Sequence, residues 1–127
     1  MSIISPKTAL VSLSDKSNLD QLIEFLLSKE VKIISTGGTF NAIKKITEKV
    51  LEVSEFTGFE EMMDGRVKTL HPKIHAGILA RRETDLEVLT DRGFEVIDIV
   101  VVNLYPFKET IASGCSFEEA IEKIDIG

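Results

Sequence analysis

A chain of 127 residues has the length of one domain and is long enough to bury a hydrophobic core. Its 43% hydrophobic and 28% charged residues exclude a disordered chain, and no apolar run reaches the roughly 20 residues of a membrane-spanning helix. A net charge of -6 argues against a broad nucleic-acid surface, and the single Cys115 can form no internal disulfide, so we expect a cytoplasmic protein.

Two strand–turn–helix units open the chain. The apolar segments 8–12 and 31–35 each predict a strand, because each is short, β-prone and ends in polar residues. A helix is predicted after each strand, and segment 50–53 predicts a third, shorter strand. The residues at helical spacing are Leu19, Leu22, Ile23 and Leu26 in the first unit and Ala42, Ile43 and Ile46 in the second, which follows a turn at Gly37 and Gly38.

The second half of the chain is less regular. After an irregular middle section, a helix is predicted around 86–91, and the β-prone run 97–102 is typical of a central strand that is buried on both faces. A Ser-x-x-Glu capping box at Ser116 predicts a last helix that ends near Asp125. This alternation predicts one α/β domain over residues 1–127, with a mostly parallel sheet flanked by helices and ligands at the carboxyl ends of its strands.

Two turns at the carboxyl ends of the first two strands are candidate phosphate sites. Segment 36–39 offers two glycines and the first amides of a helix to an anion; the alternative is a tight turn with Thr39 as the helix N-cap. Segment 14–17 offers the mobile ammonium of Lys16 and two hydroxyls; the alternative is a helix cap with solvated charge. Because the crossover rule makes the two strands neighbours, both turns should face one pocket.

Segment 64–77 concentrates cations, imidazoles and glycines without sustained periodicity, which is typical of a functional loop. If it is extended, Arg66 and Lys68 project to one face and can clamp an anion; a solvated charged loop is the alternative. His71 and His75 have the spacing of a helical metal pair. Because Pro72 intervenes and neither a His-Glu-x-x-His pattern nor a cysteine cluster is present, we expect no metal site.

The strand at 97–102 runs into an Asn-Leu-Tyr-Pro-Phe segment. This places the amide of Asn103 and the phenol of Tyr105 at the carboxyl edge, where an amide can read a base and a phenol can position or transfer a proton. The alternatives are a turn residue for Asn103 and a core aromatic for Tyr105.

Together, and in the same order, these motifs resemble the inosine monophosphate (IMP) cyclohydrolase domain, which is the N-terminal half of a bifunctional purine-biosynthesis enzyme with AICAR formyltransferase activity in its other half. The Arg-Val-Lys-Thr-Leu-His-Pro stretch is the most specific of them. The matching motifs are Ser14-Asp15-Lys16, Thr36-Gly37-Gly38-Thr39, Thr57-Gly58-Phe59, the stretch 64–72, the stretch 103–107 and Asp125-Ile126-Gly127.

The resemblance implies a methylglyoxal-synthase-like (Rossmann-like) domain, usually a homodimer, that closes the ring of formyl-AICAR (FAICAR) to IMP and water without cofactor or metal. It implies a purine nucleotide as the partner, rather than a nucleic acid polymer or a membrane. Lys68 and Tyr105 suit polarisation and proton transfer, and Asp125 suits engagement of the amide. The substrate-binding residues that it implies are Ser14, Asp15, Lys16, Thr36, Gly37, Gly38, Thr39, Arg66, Val67, Thr69, Asn103 and Ile126.

Two differences from that family stand out. Its domain continues beyond a position equivalent to Gly127 into a helix with a lysine that works beside the aspartate, and neither that lysine nor the transformylase half lies within this sequence. We therefore expect the chain to be the N-terminal part of the domain. Methylglyoxal synthase and the effector-binding domain of carbamoyl phosphate synthetase are related alternatives that share the Thr-Gly-Gly-Thr turn, but they do not account for the two longer motifs.

Overall fold

The computed structural model describes residues 5–60 and 68–103. Strands and helices alternate through this part of the chain, as the sequence predicted. The elements are β1 (Thr8–Ser12), α1 (Leu19–Ser28), β2 (Lys32–Ser35), α2 (Gly37–Lys44), β3 (Val50–Glu52), α3 (Val53–Thr57), α4 (Pro72–Leu79), α5 (Leu86–Asp91) and β4 (Ile99–Val102). The helix predicted after Ser116 lies outside the described residues.

The four described strands form one parallel sheet in the order β3-β2-β1-β4. This confirms the α/β fold class and the prediction that β1 and β2 are neighbours. In the register, Val11 lies opposite both Ser35 of β2 and Val101 of β4, so β1, β2 and β4 end at the same edge. The segments that follow these three strands must therefore emerge side by side.

Alternate residues of the strands pack against helices on opposite faces of the sheet. On one face, Val11 and Ile33 join a buried cluster with the apolar stripe of α1, in which Leu19, Ile23 and Leu26 are spaced at i, i+4 and i+7. On the other face, residues of β1 and β2 pack with α3 and α4. The buried members of that second cluster are Leu10, Ile34, Val53, Phe56, Ile74 and Ile97.

Two expectations from the sequence differ from the structure. Val100 and Val102 are 42% and 56% exposed, so β4 is not buried on both faces as expected, and within residues 5–60 and 68–103 it pairs with β1 alone. Segment 64–77, read as an irregular loop, contains the first six residues of α4, which begins at Pro72. Proline suits this first helical position because it has no N–H to satisfy and its φ is already helical.

Asp98 fastens the amino ends of β1 and β4 together. Its carboxylate accepts hydrogen bonds from the backbone N–H of Lys7 at 2.8 Å and of Thr8 at 3.2 Å, and from the guanidinium of Arg82. Burial raises the pKa of the carboxyl, but these hydrogen bonds outweigh burial and leave the pKa below its ordinary value. The folded chain therefore favours the charged form of Asp98.

Replacing Asp98 by Asn should lower the free energy of unfolding at neutral pH by about 1–3 kcal/mol, because Arg82 loses a charged acceptor. Since the folded pKa of Asp98 is lowered, the carboxylate stabilises the fold above its ordinary pKa of about 3.9 and ceases to do so as the pH falls through the folded value. The difference in the free energy of unfolding between wild type and variant should therefore disappear below about pH 4. Urea denaturation across pH measures it, with exposed Asp91→Asn as the control; a gap that persisted at low pH would contradict this account.

None of the helices in the described ranges is long and apolar enough to span a membrane.

Candidate functional site

The carboxyl edge of β1, β2 and β4 brings together the turn after β1, the start of α2 and Asn103. These three segments come from distant parts of the sequence. Their contacts are hydrogen bonds, in which the side chains of Asn103 and Thr39 both bond to the turn after β1. The first two turns therefore lie in direct contact at this edge, and their sharing of one ligand site stays a prediction.

Asn103 holds the turn after β1. Its side-chain oxygen accepts hydrogen bonds from the backbone N–H of Ser14 at 2.7 Å, from the Ser14 hydroxyl at 2.8 Å and from the N–H of Asp15 at 3.4 Å. Its amide nitrogen donates to the Asp15 carbonyl at 3.3 Å. In this structure Asn103 thus acts as the turn-organising residue that the sequence left open as an alternative, and it fixes Ser14 beside the end of β4.

Thr39 connects the same turn to α2. Its hydroxyl accepts from the N–H of Leu13 and donates to the Leu13 carbonyl, both at 3.0 Å. Thr39 is therefore not the N-cap of α2; that position belongs to Thr36, whose hydroxyl lies 3.4 Å from that of Ser12. Within the described part of the chain, Thr36 makes no side-chain capping hydrogen bond, so the N-cap residue does not occupy the first amides of α2.

Two lysine ammonium groups lie beside the glycine pair that begins α2. A Cβ placed on Gly38 would lie 3.8 Å from Nζ of Lys16, and one placed on Gly37 would lie 3.7 Å from Nζ of Lys68. Gly37 has a φ of +51°, a left-handed conformation that glycine adopts without strain. The glycines therefore leave a small space between the backbone of α2 and two cations.

The charges around this space favour an anion. The N-terminus of a helix carries partial positive charge, and the two ammonium groups add to it. Lys16 also donates to the Leu13 carbonyl at 3.0 Å, which holds its side chain over the turn. The carboxylate of Asp15 accepts from the Ser17 hydroxyl at 2.6 Å and N–H at 2.9 Å, and these bonds lower its pKa.

The remaining sequence-derived site residues are described only in part. Thr69 lies directly after Lys68, and its carbonyl accepts from the N–H of His71 at 2.8 Å. The other predicted site residues lie outside the described residues, so their placement stays a prediction. They are Arg66, Val67, Tyr105, Asp125 and Ile126.

The two histidines do not form a pair on one helix. His71 is the N-cap of α4, and its Nδ1 accepts from the N–H of Lys73 at 3.0 Å, whereas His75 lies inside the helix with its Nε2 buried and unpartnered among the described residues. In residues 5–60 and 68–103, no three His, Cys, Asp or Glu side chains lie close enough to hold a metal ion.

An open groove of about 530 Å³ lies at the opposite edge of the sheet, by the amino ends of β2 and β3. Its charged lining alternates in sign through Glu30, Lys32, Glu48 and Lys49, and Lys32 already pairs with Glu95 at 2.6 Å. Such a lining offers no concentrated positive charge. The carboxyl edge, with two lysines at a helix N-terminus, is the better candidate for an anionic ligand.

Residues 18–127 match the family model described as MGS-like domain. The chain belongs to the MGS-like domain family. It is 53% identical over 123 residues to the "Bifunctional purine biosynthesis protein PurH" of Fusobacterium nucleatum subsp. nucleatum, a match that covers 95% of this chain and 24% of that protein. The chain thus spans about a quarter of the length of this curated relative.

The solved structure of ForH has the same fold. It superposes on this MGS-like domain with a TM-score of 0.71 at 33% sequence identity, and the match covers 79% of this chain and 53% of ForH. The family resemblance inferred from the motifs is therefore confirmed by sequence and by fold.

Proposed function

We propose that this MGS-like domain belongs to an IMP cyclohydrolase, which closes the ring of FAICAR to give IMP and water in purine biosynthesis. The observation that carries the proposal is the convergence of Lys16 and Lys68 on the glycine pair at the start of α2. The 53% identity to a bifunctional purine biosynthesis protein supports a purine nucleotide as the ligand. The parent protein would then carry AICAR formyltransferase as its second activity.

The 5′-phosphate of the nucleotide binds at the start of α2. Its oxygens accept hydrogen bonds from the first amides of the helix, and its charge is balanced by the ammonium of Lys16 and by the helix dipole. The hydroxyls of Ser14 and Thr36 lie on the two turns that border this space. Because these groups sit on backbone that is already fixed by Asn103 and Thr39, little ordering is required when the nucleotide binds.

The ring closure joins the carboxamide nitrogen to the formyl carbon. As the C–N bond forms, the carboxamide nitrogen gives one proton to a base, and the formyl oxygen gains negative charge and is then protonated. The formamido nitrogen next gives up its own N–H proton and forms the C=N bond, while the C–O bond breaks and the oxygen leaves with a second proton as water. Lys68 stabilises the developing oxyanion, Tyr105 transfers protons, and Asp125 engages the carboxamide. In this proposal no cofactor or metal takes part.

The reaction is tested with the natural full-length protein that contains this sequence. Added FAICAR should be converted to IMP, followed by ultraviolet absorbance. Phosphate release from dihydroxyacetone phosphate would instead identify a methylglyoxal synthase, and nucleotide binding without turnover would identify an effector-binding domain. The implied homodimer is checked on the same sample by light scattering.

Replacing Lys16 by Ala should weaken IMP binding by about tenfold or more, because a charge-assisted contact to the phosphate is lost. Isothermal titration calorimetry measures the affinity. Lys45→Ala is a matched control, since Lys45 is an exposed lysine at the other end of the same helix. Equal affinities of the wild type for inosine and for IMP would contradict a phosphate site.

A further inference from the structure

His71 is the junction between Lys68 and helix α4. Only Thr69 and Leu70 separate Lys68 from His71, and the hydrogen bond from the His71 N–H to the Thr69 carbonyl closes this short connection at 2.8 Å. Residues 68–70 belong to no helix or strand. The position of the Lys68 ammonium beside Gly37 therefore depends on how the chain enters α4.

Helix α4 itself is firmly held against the rest of the fold. Ile74 is 1% exposed in the core, and Nζ of Lys73 donates to the Phe56 carbonyl at 2.6 Å. The Gly77 carbonyl accepts from the N–H of Ile97 at 2.9 Å, just before β4. Because α4 is held against the sheet, contacts between residues 68–70 and the first turn of α4 also fix these residues relative to the sheet.

His71 makes this fastening in three ways. Its Nδ1 accepts from the N–H of Lys73 at 3.0 Å, and its carbonyl accepts from the N–H groups of Ile74 and His75 at 3.0 and 3.1 Å. Its ring lies 6.1 Å from that of Phe59, centroid to centroid. The side-chain bond requires an Nδ1 that carries no proton, and it satisfies a first-turn amide that would otherwise lack a helical partner.

We propose that His71 is a positioning residue for the reaction: by capping α4 it holds the Lys68 ammonium at the start of α2. The inference rests on the proposed function, because it assigns to Lys68 the role given there. It differs from a catalytic role for the imidazole, since here the ring of His71 acts on the backbone of α4 and not on the substrate.

Two substitutions separate these roles. His71→Ala removes the cap, whereas His71→Asn keeps a side-chain oxygen that is among the best N-cap acceptors but cannot transfer a proton at neutral pH. We expect kcat for FAICAR cyclisation to fall about tenfold in the Ala variant. Loss of the cap would displace the Lys68 ammonium slightly, and small displacements of a reacting group have effects of this size. In the Asn variant kcat should return to within about threefold of wild type, because the cap is restored.

A double-substitution cycle tests whether His71 acts through Lys68. In a Lys68→Ala background, His71→Ala should lower kcat no further, because the group that it positions is already gone. A purely structural role of His71 would give the same additional loss in both backgrounds. Comparison of the heat stability of all variants ensures that kcat is referred to folded protein.

Limited trypsin digestion gives a readout that is independent of activity. Cleavage after Lys68 should be about fivefold faster in His71→Ala than in wild type, as expected when loss of a cap opens the segment, and should be near the wild-type rate in His71→Asn. If the wild type does not cyclise FAICAR, the proposed function fails, and this digestion alone decides the positioning role. Equal kcat losses in the Ala and Asn variants, or unchanged digestion in the Ala variant, would overturn the inference.

Discussion

Replacing Lys68 by Ala is expected to lower kcat for FAICAR cyclisation by about 10²-fold or more, the size expected when a group that stabilises an oxyanion is lost. Lys68 is the cation that the structure places beside Gly37. In the proposed function its flexible four-carbon stem would let the ammonium extend from the phosphate site toward the base. Because the oxyanion forms only during reaction, the loss should fall on kcat while KM changes less. Steady-state kinetics with the full-length protein measure both constants.

Lys16→Ala is the matched control for this prediction. Lys16 lies beside Gly38 as Lys68 lies beside Gly37, so the two variants each remove one ammonium from the same helix end. Lys16→Ala should mainly raise KM, because the phosphate proposed as its partner carries the same charge throughout the reaction. If Lys68→Ala also raised KM and left kcat unchanged, Lys68 would be a second phosphate ligand and its catalytic assignment would be wrong.

The assignment of Tyr105 and Asp125 is tested in the same way. Tyr105→Phe and Asp125→Asn should each lower kcat by roughly 10²-fold, through lost proton transfer and lost engagement of the carboxamide. Arg66→Ala should mainly raise KM, since we expect its guanidinium near the phosphate. If Lys68→Ala, Tyr105→Phe and Asp125→Asn all kept a near-normal kcat, the assignment of the catalytic residues would be wrong. The proposed phosphate site would not be affected by that result.

The sequence was sufficient to predict the parallel sheet because local signals and long-range packing agree there. Segment 8–12 is β1 to the residue, and the helix predicted around 86–91 coincides with α5. Segment 50–53 was nearly right, but Val53 begins α3 instead of ending β3. A buried valine is compatible with a strand and with a helix. Because β3 has three residues and a short helix follows it directly, neither element is long enough to show its hydrophobic periodicity, and the boundary between them could not be predicted.

Helix α4 was missed for a different reason. In the sequence Pro72 separates two histidines and argues against a helix that carries both, although a proline is well suited to the first position of a helix. The usual N-cap signal was also hidden, because the cap is the imidazole of His71 rather than a Ser, Thr, Asp or Asn side chain. A reading of Pro72 as a helix start, followed by Ile74 and Ile78 at i and i+4, would have found it.

The burial of β4 could not be predicted from its composition. A run of β-branched residues fits a strand that is buried on both faces and also a strand with only one face packed on helices. Ile99 and Val101 do pack against the α1 cluster, while Val100 and Val102 face outward. Sheet order depends on the full set of crossovers, which a single strand segment does not encode.

Within the site, the sequence indicated which residues meet but not what holds them together. The convergence of both turns followed from the crossover rule, whereas the hydrogen bonds of Asn103 to Ser14 and of Thr39 to Leu13 depend on the register of three strands. Amides and hydroxyls serve equally as ligands and as turn fasteners, so residue type alone does not separate these roles. In the structure both side chains hold the turns that border the proposed phosphate site.

Gly77 and Gly38 are both helical glycines, and their replacement by Ala should have opposite effects on stability. A Cβ on Gly77 would lie 2.8 Å from the Glu95 carbonyl oxygen and 3.1 Å from Cγ1 of Ile97, distances at which backbone must move. That movement would strain the hydrogen bond from the Ile97 N–H to the Gly77 carbonyl. Alanine normally stabilises a helix interior by roughly 0.5–1 kcal/mol over glycine, but here the overpacking cost of about 1–3 kcal/mol should exceed that gain.

Gly77→Ala should therefore lower the unfolding midpoint by several degrees, and Gly77→Val should lower it further, since each added methyl meets the same backbone.

Gly38→Ala is the control: its Cβ would meet only the flexible Lys16 side chain at 3.8 Å, so heat stability should be kept or slightly raised. The same methyl would stand between α2 and Lys16, and IMP affinity should fall although the fold is intact. Differential scanning calorimetry and titration with IMP measure the two effects. A Gly77→Ala variant as stable as wild type would contradict the close packing of α4 on the chain before β4, and full IMP affinity in Gly38→Ala would move the phosphate away from the start of α2.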